Sequence, residues 1–140
     1  MHRFYQWLAA RRPEFLSLLR IVTALLYLEH ATQKLFHWPT MQMSGAPRPG
    51  GGPPAWFFWV GVLEFVGSLL LIVGWWTRLA AFVLSGEMAV AYWTAHAPHS
   101  FFPLFNFGEA AILFCFVFLY IAAAGGGAWS VDKALKSEWA

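Results

Sequence analysis

Apolar residues run along this chain in four long stretches separated by short polar or proline-rich breaks. Residues 15–35, 56–76, 79–97 and 102–123 each supply the roughly 20 positions an α-helix needs to cross about 30 Å of hydrocarbon. The punctuation agrees with these limits. Pro13 stands before the first stretch, where a helix has no use for the missing N–H. Pro39 follows that stretch, Pro53-Pro54 precede the second, and Pro98 and Pro103 bracket the turn between the third and fourth. Gly125-Gly126-Gly127 closes the last one, as glycine does at helix C-termini. There is no internal repeat and no room for a second domain. The pattern predicts an all-α polytopic membrane protein, a four-transmembrane-helix bundle forming one domain over residues 1–140.

Composition strengthens this reading. The chain is 59% hydrophobic and 11% charged, whereas a soluble domain is about a quarter charged. Seven acids and nine Lys/Arg are too few to cover a soluble surface of this size. The lone Cys115 excludes an intrachain disulfide and any CxxC motif. A net charge of +2 without a basic run excludes a nucleic-acid footprint. Arg3, Arg11 and Arg12 precede the first stretch as they would in a secretion signal, but Glu29, His30 and Lys34 interrupt its apolar region, so it reads as a retained helix. Arg3, Arg11, Arg12, Arg78, Lys133 and Lys136 fall on one side of the expected topology and Arg48 alone on the other, which makes both termini cytoplasmic. The loop 36–55, with five prolines, is then external. Trp56, Trp59, Trp75, Trp76, Trp93 and Trp129 suit the two membrane–water boundaries.

Ionisable groups inside a span are expensive, and they normally face the bundle interior with a partner. Glu29, Glu64, Glu87 and Glu109 fall one in each expected span, joined by Arg20, His30, Lys34 and His96. With a rise of about 1.5 Å per residue, Glu29, Glu64 and Glu109 lie roughly 9–12 Å from the outer boundary and Glu87 about 15 Å. All four acids therefore reach one layer of the outer half, with His30, Lys34 and His96 just above. This predicts a shared polar pocket, open to the outside and lined by Glu29, His30, Lys34, Glu64, Glu87, His96 and Glu109.

Facing supports the pocket. Arg20, Thr23, Tyr27, His30, Lys34 and His37 form one helical stripe. Gly61, Glu64, Gly67 and Ser68 share a face on the second helix, where small residues admit a close neighbour. Asn106 and Glu109 lie one turn apart on the fourth. Blander readings stand beside this one: Arg20 snorkels to the cytoplasmic boundary, and the buried charges form a structural ion network. A metal or haem site has less support. His30, His37, His96 and His99 lie on the outer side, but no HExxH or ExxH signature occurs and Pro98 interrupts His96-Ala97-Pro98-His99. Nucleophilic triads, phosphate loops and dinucleotide fingerprints are absent.

These residues, taken together, resemble the DoxX family of small bacterial membrane proteins. The likeness runs from Leu19-Arg20-Ile21, His30 and Lys34-Leu35-Phe36 through Gly61-x-x-Glu64-x-x-Gly67, Leu71, Gly74 and Thr77-Arg78. It ends with Asn106-x-x-Glu109-Ala110 and Gly125-x-Gly127-x-x-Ser130-x-Asp132. The chain departs from the family pattern at Thr23, Ala31 and His37, where glycine is usual. The resemblance implies a multi-pass protein of the bacterial inner membrane and association with redox or sulfur-handling systems, and it implies no catalytic residue. The leading expectation is a membrane component of a quinone- or sulfur-linked redox system. If catalytic, it is an oxidoreductase subunit needing a partner protein, with a quinone as the fitting cofactor, Lys34 or His30 hydrogen-bonded to one oxygen, and Glu64 or Glu109 relaying protons. The alternative is a noncatalytic adaptor or assembly factor, and the third reading is a small-molecule or metal transporter. Expected partners are the lipid bilayer and a partner protein or a second copy of the chain.

Overall fold

A computed structural model of the chain describes residues 1–39 and 55–136, and no strand occurs among them. The elements in order are α1 (His2–Ala10), α2 (Arg12–Phe36), α3 (Ala55–Val73) and α4 (Thr77–Ala91). A π-helical turn (Tyr92–His96) and a 3-10 turn (Ala97–His99) then lead to α5 (Pro103–Asn106), α6 (Glu109–Ala124) and α7 (Val131–Ala134). The expected external loop falls largely on residues 40–54, Arg48 included, and lies outside the described residues.

Helix α2 packs on α3 and α4 on α6, while α3–α4 and α2–α6 contacts close a ring of four helices. Two of them, α2 and α3, are long and apolar enough to cross a membrane; α6 is apolar but shorter. Three features differ from the sequence expectation. A separate helix, α1, precedes the first span. The third stretch stops being α-helical after Ala91. The fourth is split, because Phe107 turns left-handed (φ 56°) between α5 and α6. Asn106 builds that split: its side-chain oxygen accepts the Gly108 N–H at 2.8 Å and its amide donates to the Ser100 carbonyl at 2.9 Å. At Gly108 a Cβ would lie 2.6 Å from Asn106 Oδ1 and 2.7 Å from the Tyr92 ring. At the end of α2, His37 holds the left-handed capping position (φ 56°), a conformation that glycine adopts most easily.

The interior is small and polar for its size. Tyr27, Leu71, Leu84, Phe118 and Ile121 are fully buried together with Arg20, Glu64, Asp132, Ser17 and Ser68. Leu18, Val22, Leu25, Val66, Leu69, Phe82 and Phe116 are exposed instead. Water would penalise so continuous an apolar surface, whereas acyl chains match it.

Arg20 does not snorkel. It is fully buried and ties three segments together. Its Nε donates to the Gly126 carbonyl at 2.9 Å, Nη2 to Trp129 at 2.6 Å, and Nη1 to Leu71 and, at 3.0 Å, to Ile72. The last two are free carbonyls at the C-terminal end of α3, where the helix dipole favours a cation. Alongside it, the Asp132 carboxylate accepts the Trp76 and Thr77 N–H groups at 2.9 and 2.8 Å, closing the start of α4. Gly74 (φ 76°) belongs to the same knot: a Cβ there would meet Ser130 Cβ at 2.7 Å. The chain after α6 is thereby fastened across the end of the bundle where α2 begins, since Ala128 N–H also donates to the Pro13 carbonyl at 3.0 Å. Snorkelling is the usual fate of an Arg near a helix boundary, but here buried carbonyls of three segments offer the guanidinium more than headgroups do.

Candidate ligand-binding cavity

At the other end of the ring, α2, α3, α4 with its π-helical turn, and α6 enclose a cavity of about 360 Å³. Its polar lining includes Tyr27, His30, Gln33, Lys34, Glu64, Glu87 and His96, and its apolar walls include Phe57, Met88 and Phe114.

Glu64 is placed by its two flanking glycines. A Cβ on Gly61 would lie 3.0 Å from Lys34 Cβ, and one on Gly67 would lie 2.9 Å from the Leu84 methyls. One glycine therefore admits α2 and the other α4, leaving the carboxylate in the seam. There Lys34 Nζ donates to both Glu64 oxygens at 2.7 Å, while Phe57 lies 5.3 Å from the ammonium. Glu64 is completely buried and Lys34 nearly so. Tyr27, fully buried between the Phe118 and Phe114 rings (4.9 and 5.1 Å), directs its hydroxyl at Glu64 Oε1, 3.3 Å away, and at Glu87 Oε2. One hydroxyl carries one hydrogen. It can donate to only one of the two carboxyl groups at a time, and the other contact is completed when that carboxyl brings its own proton. Lys34, Glu64, Tyr27 and Glu87 thus form a continuous chain of exchangeable hydrogens.

His96 reaches the rim through the π-helical turn, whose extra residue re-aims the side chains that follow α4. Its Nδ1–H donates to the Asn106 carbonyl at 3.0 Å, which leaves Nε2 facing away from that bond. His30 sits against Phe114 at 5.8 Å, half over the cavity and partly exposed.

Five of the seven expected pocket residues come together: His30, Lys34, Glu64, Glu87 and His96. Glu29 and Glu109 do not. Glu29 is exposed on the outer face of α2, in line with Leu25 and Leu26. Glu109 is exposed in the first turn of α6, where the helix dipole favours an acid. The expected chamber of four carboxylates is therefore a chamber of two. Tyr27 is the residue whose part the sequence undervalues: it stands in the polar stripe of the first helix but not among the seven expected pocket residues. Among the described residues no three His, Cys, Asp or Glu side chains are grouped to hold a metal ion.

The pattern of the DoxX family matches residues 15–97. An uncharacterised protein of Haemophilus influenzae (strain ATCC 51907 / DSM 11121 / KW20 / Rd) is 44% identical over 125 residues, which cover 87% of this chain and 91% of the relative. No solved structure matches the chain. Several residues of the expected likeness, those after residue 97 lying beyond the matched stretch, gather at the two ends of the bundle, while Glu109 belongs to neither. Arg20, Gly74, Thr77, Gly125, Gly127, Ser130 and Asp132 gather around the knot, while His30, Lys34, Gly61, Glu64 and Gly67 build the cavity.

Proposed function

The chain belongs to the DoxX family, and from that premise we propose that it is a multi-pass protein of the bacterial inner membrane whose cavity receives the headgroup of a quinone. Four crossings with both termini in the cytoplasm accommodate the closed ring of helices and its apolar exterior. Arg11 and Arg12 just before Pro13, Lys133 just after Asp132, and Arg78, bonded to the Ala122 and Ala123 carbonyls, all stand at the knot end, which supports the same orientation. In this reading the chain is a membrane component of a redox system.

The observation that carries the proposal is the buried Lys34–Glu64 pair joined through Tyr27 to Glu87 beneath aromatic walls. A volume of about 360 Å³ lies within the range of small-molecule sites, which pair apolar walls with a few placed polar groups. A quinone ring is flat and apolar with a hydrogen-bond acceptor at each end. The ring would lie between Phe57 and Phe114, with the Lys34 ammonium within reach of one oxygen. Conversion to the quinol takes two electrons and two protons. The electrons come from a partner redox protein, and the Glu87–Tyr27–Glu64 chain hands protons to the oxygens as charge develops.

The test is binding of a short-tailed ubiquinone analogue to the purified chain in mild detergent, followed by quenching of tryptophan fluorescence. Saturable binding, weakened at least tenfold by Glu64→Gln, supports the proposal. An absence of saturable binding by the folded protein overturns it and favours the noncatalytic adaptor, for which the bidentate Lys34–Glu64 contact serves only to fix α2 against α3. Stoichiometric metal in the purified protein would favour the transporter reading instead.

A further inference from the structure

Among the described helices of eight or more residues, α1 alone buries no residue. At 100° per residue its Phe4, Trp7 and Leu8 fall on one side and His2 and Gln6 on the other, with Arg3 on the flank beside Trp7. Gln6 and His2 are hydrogen-bonded to each other at 3.0 Å along the polar side. The apolar side is organised but uncovered. Phe4 and Trp7 stack at 6.5 Å, Trp7 meets the edge of Phe15 of α2 at 6.4 Å, and yet Phe4 and Trp7 are 60% and 52% exposed. The helix is interrupted at Arg11 (φ −101°, ψ 13°) before α2 begins.

The position of this interruption matters. Directly after it, α2 starts to present apolar side chains outward: Phe15, Leu18, Leu19 and Val22 are all exposed. If α2 crosses the bilayer, the hydrocarbon boundary lies near Phe15 and α1 is attached at headgroup level. The same end carries exposed cations. Arg3, Arg11 and Arg12 surround α1, and Lys133 follows Asp132, whose carboxylate is held by the Trp76 and Thr77 N–H groups. Among the described residues the nearby acids offer little offset, since Glu14 pairs loosely with Arg11 at 4.0 Å and Asp132 is consumed in the knot.

We propose that α1 is an anionic-phospholipid-binding foot. It lies along the headgroup layer of the leaflet at the knot end, with Phe4, Trp7, Leu8 and Phe15 sunk toward the acyl chains and Arg3, Arg11 and Arg12 holding lipid phosphates. Both signals that stable interfacial attachment requires are present, an apolar face and a cationic cluster. Arg11 already lies over the Trp7 ring at 5.9 Å, so a phosphate bound there would be held at the depth of the indole. The proposal rests on the membrane-crossing reading of α2 but not on the quinone.

The experiment is backbone hydrogen–deuterium exchange of the full chain in nanodiscs of phosphatidylcholine alone and of phosphatidylcholine with phosphatidylglycerol. Residues 2–10 should exchange at least tenfold more slowly in the anionic discs. In the triple variant Arg3→Gln, Arg11→Gln, Arg12→Gln that difference should vanish while α3 stays protected in both. Equal exchange of residues 2–10 in the two lipids, with α3 protected, overturns the foot and leaves the membrane reading intact. Loss of protection in α3 as well overturns both. A lipid-dependent difference that survives in the triple variant removes the arginines from the proposal and overturns it in the form given.

Discussion

Lys34 Nζ stands 2.7 Å from both carboxylate oxygens of Glu64, a side chain with no solvent exposure. The contact joins α2 to α3 across the seam that Gly61 keeps narrow. Removing one partner of such a pair leaves an uncompensated buried charge and destabilises by about 3–5 kcal/mol, whereas replacing both with apolar groups is far milder. Lys34→Met and Glu64→Leu should each lower the thermal midpoint in detergent by an amount in keeping with that figure. The double variant should recover most of the loss, giving a coupling of about 2 kcal/mol or more in the double-mutant cycle. Additive effects would mean that the two groups do not meet.

Glu29 and Glu109 offer the opposite expectation. Both are exposed and neither lines the cavity. Glu29→Gln and Glu109→Gln should leave the affinity for the quinone analogue within about twofold of the unmodified chain, below 0.5 kcal/mol. Glu64→Gln in the same titration should weaken it at least tenfold. A strong effect of either outer acid would show that the site extends beyond this cavity.

The reasons for this division of the acids show what the sequence could and could not disclose. Depth along a helix follows from residue count, so Glu64 and Glu87 were legible as partners in one layer. Azimuth is less secure. Glu29 is next to His30 in the chain but falls on the face of Leu25 and Leu26, outside the cavity. For Glu109 the counting itself fails: it assumes an unbroken helix from residue 102, and the left-handed Phe107 ends α5 before α6 begins. The four helical stretches were visible because each is a long apolar run, with α2 extending three residues earlier than expected, to Arg12. α1 was not visible, because nine residues of mixed polarity fall short of a span. Nor was the knot. The carbonyls that hold Arg20 belong to Leu71, Ile72, Gly126 and Trp129, more than 50 positions away, and main-chain acceptors leave no trace in residue identity.

That knot makes Arg20 the most sensitive position outside the cavity. Arg20→Leu would strand the carbonyls of Leu71, Ile72 and Trp129, leave Gly126 with only the Ser17 hydroxyl, and remove the charge beside Asp132, at about 1–3 kcal/mol for each buried acceptor left unpaired. The protein should fail to accumulate in membranes. Arg20→Lys should not rescue it, since a compact ammonium cannot reproduce the planar fork that reaches three segments at once. Asp132→Asn should be milder: its amide oxygen still accepts one of the two N–H groups, while its NH2 faces the other and loses that bond, so it should give folded protein with a lowered thermal midpoint. Quantifying folded protein in membrane extracts separates the three variants.

Two glycines give a matched comparison of packing. Gly108 stands where a Cβ would press on Asn106 Oδ1 at 2.6 Å and on the Tyr92 ring at 2.7 Å, so Gly108→Ala must displace either the α5–α6 break or the aromatic shelf beside His96. Overpacking of this kind costs about 1–3 kcal/mol, and here it also shifts the cavity rim. Gly86 lies mid-helix in α4 with nothing within 4 Å of the corresponding Cβ. There Gly86→Ala only removes backbone freedom from the unfolded chain, for a gain of about 0.5–1 kcal/mol. The thermal midpoint in detergent should fall for the first and rise for the second. If Gly86→Ala destabilises instead, another surface covers that face of α4 in the assembled protein, and comparing the oligomeric state of the two variants by light scattering would identify a second copy as that surface.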